Sequence, residues 1–243
     1  MKVLILGANG YLGPHVVKAL EGEHELLITD IKAPASPTRH EFRLVDITDL
    51  DQVTRAAEGR DAILNLAVLR GHRKIAFDVN TIGCYNVMLA AVKHGLRRVI
   101  NTGPHFTVAG PAYEAFDFAL HPSAPPQSGT NLYAHSKSLG QEVCRVFTEH
   151  HDIWVQDYLF YNFRFADQLK PGAGGVPFIV SWADAGEVFR LGVKVPLDRL
   201  PSKCEVFFIL GDMPHGKFLN DKAKEVLGFQ PKDDLATLWR RPD

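Results

Sequence analysis

Short apolar runs alternate along this chain with longer stretches in which apolar residues recur every three or four positions. Val3 to Leu6, Leu26 to Thr29, Ala62 to Ala67 and Arg98 to Thr102 read as strands, and Val155 to Tyr161 as another; Phe42 to Val45 is a further short run. The runs are apolar on both faces, as strands of a parallel sheet covered on both sides by helices would be. Helical periodicity falls near residues 11–22, 49–58, 78–94 and 131–150. Strand–helix alternation of this kind predicts right-handed βαβ units and an α/β fold, a doubly wound parallel sheet of Rossmann-like type.

Two irregular stretches interrupt the alternation. Residues 103–130 are rich in Pro, His, Gly and Ser and read as one long loop between a strand and the next helix. Loops that long are uncommon in compact domains and often belong to a site. The second stretch, Lys170 to Gly175, comes after the last of the long runs. A helix near 183–192, a strand near 205–210 and a helix near 217–228 follow it.

Composition narrows the function classes. The 243 residues carry 27 Lys and Arg against 28 Asp and Glu, a net charge of −1, so a partner gripped by charge alone, nucleic acid or an anionic membrane, is not expected. With 46% apolar residues the chain can bury a large core without disulfides or metals. No run approaches the roughly 18 consecutive apolar residues of a membrane span, and the start reaches Gly7 too soon for a signal peptide. Cys84, Cys144 and Cys204 are odd in number and far apart, which suits a reducing cytoplasm and no disulfide framework. The histidines are scattered, His150-His151 reads as helix surface, and no metal site is expected.

The first strand runs directly into Gly7-Ala8-Asn9-Gly10-Tyr11-Leu12-Gly13, which opens the first helix with GxxGxxG spacing. Gly7 suits a tight turn, Gly10 a close approach of backbone to a pyrophosphate, and Gly13 close packing of helix on strand. The helix N-terminus adds free N–H groups and a positive dipole end. Asp30 ends the second strand, where a carboxylate accepts hydrogen bonds from the adenosine ribose and repels a 2′-phosphate. NAD is therefore expected over NADP, although Lys32 and Arg39 lie nearby. Asp46-Ile47, after the next strand, is placed to meet the adenine.

Tyr133 and Lys137 begin the helix that runs to about residue 150, and four residues apart they share a face. An ammonium beside a phenol favours the phenolate, lowering a pKa that starts near 10. Bringing it to about 7 takes on the order of 4 kcal/mol. Such a tyrosine can take a proton from an alcohol or return one to a carbonyl.

Together these residues resemble the extended short-chain dehydrogenase/reductase family, whose members include NAD-dependent sugar epimerases, dehydratases and dehydrogenases. The likeness covers nearly the whole chain: the glycine turn, Asp30, Asp46-Ile47, Asn65-Leu66-Ala67, Asn80 through Asn86, Tyr133/Lys137, the strand ending near Asn162, and Trp182 to Gly186. The closing Leu227-Gly228-Phe229-Gln230-Pro231 matches the usual ending, and within the family the short chain looks most like uronate dehydrogenases. The resemblance implies that Asn9, Tyr11, Leu12 and the three glycines hold the cofactor with Leu66, Ala67 and Val68, that Lys137 also holds the nicotinamide ribose, and that Asn80 braces the active-site helix. The order of elements along the chain predicts a dinucleotide-binding Rossmann-like core over 1–160 and a small substrate-binding cap over 161–243 that is not an independent domain. The resemblance also implies a homodimer formed through the fourth helix and the Tyr–Lys helix.

One departure bears on the chemistry. The family places a Ser or Thr after the fourth strand to hold the reacting oxygen, and counting back from Gly110 puts His105 there. His105 or the neighbouring Thr102 is the expected donor, with His105 and Thr107 expected to face the substrate. Arg70 and Arg164 are candidates for a substrate carboxylate. The expected function is hydride transfer between a small sugar or sugar acid and NAD, with Tyr133 as acid and base. A nucleotide-sugar epimerase and a non-catalytic dinucleotide-binding regulator are the alternatives.

Overall fold

The computed structural model describes residues 1–111 and 119–242. Among them, in chain order, lie strands β1 (Lys2–Leu6), β2 (Glu25–Asp30), β3 (Glu41–Leu44), β4 (Ala62–Asn65), β5 (Arg98–Pro104), β6 (Trp154–Phe160), β7 (Asn162–Arg164), β8 (Ile179–Ser181) and β9 (Cys204–Phe208). The α-helices are α1 (Gly13–Leu20), α2 (Leu50–Ala57), α3 (Arg73–Phe77), α4 (Gly83–His94), α5 (Phe106–Ala109), α6 (Leu132–His150), α7 (Trp182–Lys194) and α8 (Asp221–Leu227). A π-turn, Asp78–Ile82, joins α3 to α4, so the helix expected from residue 78 begins five residues earlier, where the His72 ring accepts from the Ile75 N–H. By length and composition Arg73–His94 is apolar enough to cross a membrane, yet half of its most apolar stretch is buried inside the fold.

Seven parallel strands form one sheet in the order β3-β2-β1-β4-β5-β6-β9. The order reverses at β1/β4, and in open α/β sheets that switch point opens a crevice at the carboxyl ends of the strands. Both faces are covered. Val3, Ile5 and Ile100 point to α1 and α7, whose Val16, Leu20, Val188 and Phe189 meet them. Leu4, Ile63, Val99 and Val155 point to the other side, against Val53, Val87, Met88 and Cys144 of α2, α4 and α6. This two-faced burial is why the strands read as unbroken apolar runs.

Residues 161–242 supply β9 to the main sheet, lay α7 against α1, and pair β7 with β8 beside the crevice. Gly186 marks how closely α7 packs, because a Cβ there would lie 2.5 Å from the His15 carbonyl oxygen. The loop expected over 103–130 contains the end of β5 and the single turn α5; its residues 112–118 lie outside the described residues.

Candidate active site

The glycine turn leaves β1 with Gly7 at φ +80°, and the Gly7 and Ala8 N–H groups both donate to the Thr29 carbonyl at 3.0 and 2.9 Å. A side chain at Gly7 would sit 2.8 Å from the Ala67 nitrogen, and one at Gly13 would lie 2.0 Å from the Ala8 carbonyl oxygen. Backbone therefore meets backbone on both sides of the turn. Helix α1 begins with no side-chain cap; Pro14 carries no N–H and the His15 N–H donates to the Leu12 carbonyl at 3.1 Å, while Gly10 to Gly13 before it line the crevice. Asp30 closes the rim by accepting from the Asn9 N–H at 3.0 Å, and the Asn9 side chain donates to the Lys32 carbonyl at 2.6 Å.

Two adjoining cavities follow from this geometry. The larger, about 940 Å³, runs past Gly7, Asn9, Gly10, Asp30, Asp46, Ile47, Ala67 and Val68. The smaller, about 550 Å³, is lined by Tyr11, Leu12, Gly13, Arg70, Thr102 and Tyr133, and it shares Gly7, Gly10, Leu66 and Val68 with the larger. Asp46 keeps one carboxylate oxygen on the Thr48 N–H and hydroxyl, at 2.9 and 2.8 Å. Asn80 is fully buried behind the cavities. It accepts from the Leu69 N–H, donates to the Leu69 carbonyl at 2.7 Å, and donates to the Ser136 hydroxyl at 3.0 Å. It thereby ties the 67–69 wall to α6.

Asn131 caps α6 by accepting from the N–H groups of Tyr133 and Ala134 at 3.0 and 3.1 Å, which fixes Tyr133 in the first turn. The electrostatics here correct the expectation from spacing. The cation over the phenol ring is Arg70, 5.3 Å from its centroid, while the Lys137 ammonium, almost wholly buried, donates to the Ala67 carbonyl at 2.9 Å. Burial pushes the Tyr133 phenol above its ordinary value, and Arg70 only partly offsets this. Burial likewise pushes the Lys137 ammonium down. Four-residue spacing put both residues on one face, but the long lysine side chain followed the nearest buried acceptor.

Lys137 and Asn80 line neither cavity, and three other expected residues do not reach them either. His105 is fully buried, its ring 4.7 Å from that of Tyr161 and 4.5 Å from that of Phe178, and burial holds its imidazole down at about 3. It is neutral at working pH and lies behind the wall, where Phe106 stands instead. Thr107, also fully buried, donates its hydroxyl to the Pro104 carbonyl at 3.0 Å. Both are turned inward because α5 coils the chain immediately after β5. Arg164 binds the Asn162 side chain at 2.5 Å and the Phe163 carbonyl at 3.1 Å, so Asn162 rather than Arg164 lines the cavity. Thr102 does line it, with its hydroxyl donated to the Asn65 carbonyl at 2.9 Å.

Sequence reasoning missed the aromatic part of the smaller cavity's wall. Phe106, Phe160, Tyr161, Phe163 and Trp182 are aromatic, and the rings of Phe163 and Trp182 stack at 4.1 Å. In sequence, Phe160 to Phe163 is merely the tail of an apolar strand.

Residues 3–156 match the family described as the NAD dependent epimerase/dehydratase family. An NAD-dependent glucose-6-phosphate dehydrogenase of Haloferax volcanii is 26% identical over 96% of this chain and 94% of its own. A uronate dehydrogenase of Pseudomonas syringae is 30% identical over 63% of this chain and 56% of its own. Among solved structures, a mutant of Agrobacterium tumefaciens uronate dehydrogenase complexed with NAD superposes with a TM-score of 0.79, at 22% identity, over all of this chain and 91% of that one.

Proposed function

The chain belongs to the NAD-dependent epimerase/dehydratase family, and from that premise we propose that it oxidises or reduces a small sugar or sugar acid with Tyr133 as acid and base. One observation carries the reading: Tyr133 lines the smaller cavity, which continues through Leu66 and Val68 into the crevice over the glycine turn. The names of the relatives, a uronate dehydrogenase and a glucose-6-phosphate dehydrogenase, support the substrate class.

The residues present fit the dinucleotide. Gly7 and Gly13, where a Cβ would strike backbone, let the turn pack tightly, and Gly7, Gly10 and Gly13 line the crevice with bare backbone where a pyrophosphate would lie beside the start of α1. Asp30 would accept from the adenosine ribose, Asp46 and Ile47 would border the adenine, and Leu66 to Val68 would flank the nicotinamide. Lys137 would hold the nicotinamide ribose, and Asn80 would keep the 67–69 wall fixed to α6. When bound, NAD supplies the carbon that accepts or gives up the hydride.

The chain's own share is positioning and one proton. The phenol, pushed up by burial, holds its proton at neutral pH and is ready to donate it to a forming alkoxide. Arg70, over its ring, stabilises the phenolate left behind and is the cation placed to meet a substrate carboxylate. The aromatic wall suits the C–H face of a sugar ring and keeps water from the reacting carbon.

The test is turnover by the whole chain on a panel of free sugars and uronic acids with NAD. NADH formation that disappears in Tyr133→Phe is expected; formation unchanged in that variant overturns the mechanism. Pairing of two copies through α4 and α6 is part of the same reading. Ile82, at the end of the π-turn before α4, and Tyr85, Leu139 and Val146 on the two helices are exposed at 48, 44, 39 and 37%. Light scattering should give the dimer mass, and a monomer mass at working concentration removes this part.

A further inference from the structure

Along one face of the sheet the side-chain rows change character abruptly. Ile63, Val99 and Val155 lie side by side on β4, β5 and β6 and are wholly buried in the apolar core under α4 and α6. Two residues further along the same strands, on the same face, the register pairs Asn65 with Asn101 and Asn101 with Asp157. All three are at most 1% exposed. Two amides and a carboxyl in the middle of a parallel sheet are costly unless every polar atom is matched.

They are matched in one direction only. The Lys137 ammonium donates to the Ala67 carbonyl at 2.9 Å, and the Ala67 N–H donates to the Asn65 side-chain oxygen at 3.2 Å. The Asn65 amide donates to the Asn101 side-chain oxygen at 2.9 Å, and the Asn101 amide donates to Asp157 at 2.7 Å. Each of these four bonds points from the cation toward the carboxyl; the two Ala67 groups belong to successive peptide units, so across Ala67 the ladder passes on position, by fixing the backbone whose carbonyl holds the ammonium. Lys137 needs such help, because its contact at Ala67 is neutral and its ammonium is taken out of water.

We propose that Asp157 is a positioning residue of the site, holding the Lys137 ammonium in place through the Asn101–Asn65–Ala67 ladder, so that its charge state tunes the grip on the nicotinamide ribose. The inference rests on the reading of Lys137 as the ribose-holding lysine. No step is assigned to Asp157 in the chemistry, since the amides of the ladder fix positions and pass on no proton.

The surroundings name the competitors. Around the buried volume stand Lys137 and Cys144 on α6, Cys84 on α4 and Cys204 on β9, with Arg70 acting on the lysine from the cavity side. The Cys204 thiol lies 4.0 Å from the second Asp157 oxygen. The Cys84 sulfur receives the Asn65 amide at 3.4 Å, which makes it the other group able to balance the lysine. Burial lifts the Asp157 carboxyl to about 7, against the partial pull of Asn101 and Lys137. Its charge therefore changes within the working range of pH.

The experiment is NADH affinity, read by fluorescence on the whole chain from about pH 5.5 to 9, for the wild type and four variants. The wild type is expected to bind about five- to tenfold more tightly above neutrality than below it, the scale of an ordinary coupling between sites. Asp157→Asn should flatten this profile at its weaker level. Asn101→Leu, which keeps the carboxyl but cuts the ladder, should flatten it too. A role in packing alone would lower thermal stability in both and leave the pH step in place, and that result overturns the proposal. So does a step that survives Asp157→Asn and vanishes in Cys84→Ala. Lys137→Met separates the premise from the inference. If it leaves affinity unchanged, the reading of Lys137 fails; if it weakens binding while the Asp157 and Asn101 variants keep the step, only the ladder fails.

Discussion

At the glycine turn the site is made of backbone: two N–H groups on one carbonyl, two positions closed to any Cβ, and a helix start with no side-chain cap. At the tyrosine end it is made of side chains taken out of water, the phenol and the lysine, with the Asn80 amide and the Asp157 carboxyl packed behind them. The first end owes its properties to where the chain runs, and residue type matters chiefly by being absent. The second owes its properties to which charge faces which, and a small change of direction in one long side chain alters the chemistry. Arg70 at the phenol and Lys137 at a carbonyl are such a change. Perturbing each end should therefore fail differently, one through fit and the other through charge and pH.

The largest expected effect lies at the tyrosine. Tyr133→Phe removes the acid and base and should lower turnover by about 10² to 10⁴ while NADH affinity stays within a few-fold. In the wild type, oxidation should speed up with alkalinity, by about tenfold per pH unit over the range where the phenol is still mostly protonated. The sign follows from burial, which raises the phenol and leaves ever more phenolate to be gained as pH rises. A rate in the oxidative direction that falls between pH 7 and 9 would contradict this.

Next comes Asp157, and here stability and function oppose each other. Its folded value of about 7 lies roughly 3 units above the ordinary 3.8. A raised folded value gives stability that is complete below the unfolded value and is lost as pH climbs through the folded one. At about 1.36 kcal/mol per unit the loss is on the order of 4 kcal/mol by pH 8. His105 runs the other way: held at about 3 against 6.5, it contributes stability that is lost as pH falls below 6.5. The two nearly cancel over about pH 4 to 6.5. Asp157→Asn should thus raise Tm at pH 8 by about 10 °C and uncover a stability that climbs with pH up to about 6.5. Calorimetry across pH checks both. A lower Tm at pH 8 would mean that the carboxylate is stabilising where it stands.

How much of this was legible in the sequence follows the same division. The sheet, its two covered faces and the helices after each strand were readable because period and burial are local signals, and β9 fell where a strand was expected. The glycine turn and Asp30 were readable because their spacing dictates backbone geometry. Counting back from Gly110 put His105 at the position expected to hold the reacting oxygen, but no count reveals that α5 turns it into an aromatic pocket. Asn101 and Asp157 were invisible as a pair. Each is one polar residue inside an apolar run, and only strand register brings them side by side.

At the backbone end the effect should be smaller and blind to pH. A methyl group at Gly13 would meet the Ala8 carbonyl oxygen and Cα at 2.0 and 2.7 Å, atoms that cannot swing aside. Gly13→Ala should cost about 1–3 kcal/mol of stability by overpacking and weaken NADH binding at every pH alike. Gly22→Ala serves as the contrast, since a Cβ there meets nothing within 4 Å. It should unfold at the wild-type denaturant concentration or slightly above it. If Gly13→Ala were as stable as Gly22→Ala, the close approach of α1 to the turn would be wrong.

Asp30 sits at this end but acts by charge, so it asks whether the division runs by place or by material. Its carboxylate is tied to the turn through the Asn9 N–H, at the rim of the larger cavity. Asp30→Ala removes an acceptor for ribose hydroxyls, and one charged hydrogen bond is worth about 1.5–3 kcal/mol. NADH affinity should fall by about tenfold or somewhat more, by the same factor at every pH between 6 and 9, with the wild type's step left in place. NADPH should gain relative to NADH, because the repulsion of a 2′-phosphate goes and Lys32 beside the same cavity stays. Competitive titration with both reduced dinucleotides reads the ratio. If the ratio does not move, Asp30 serves only to fasten the turn, and the backbone end selects its ligand by shape alone.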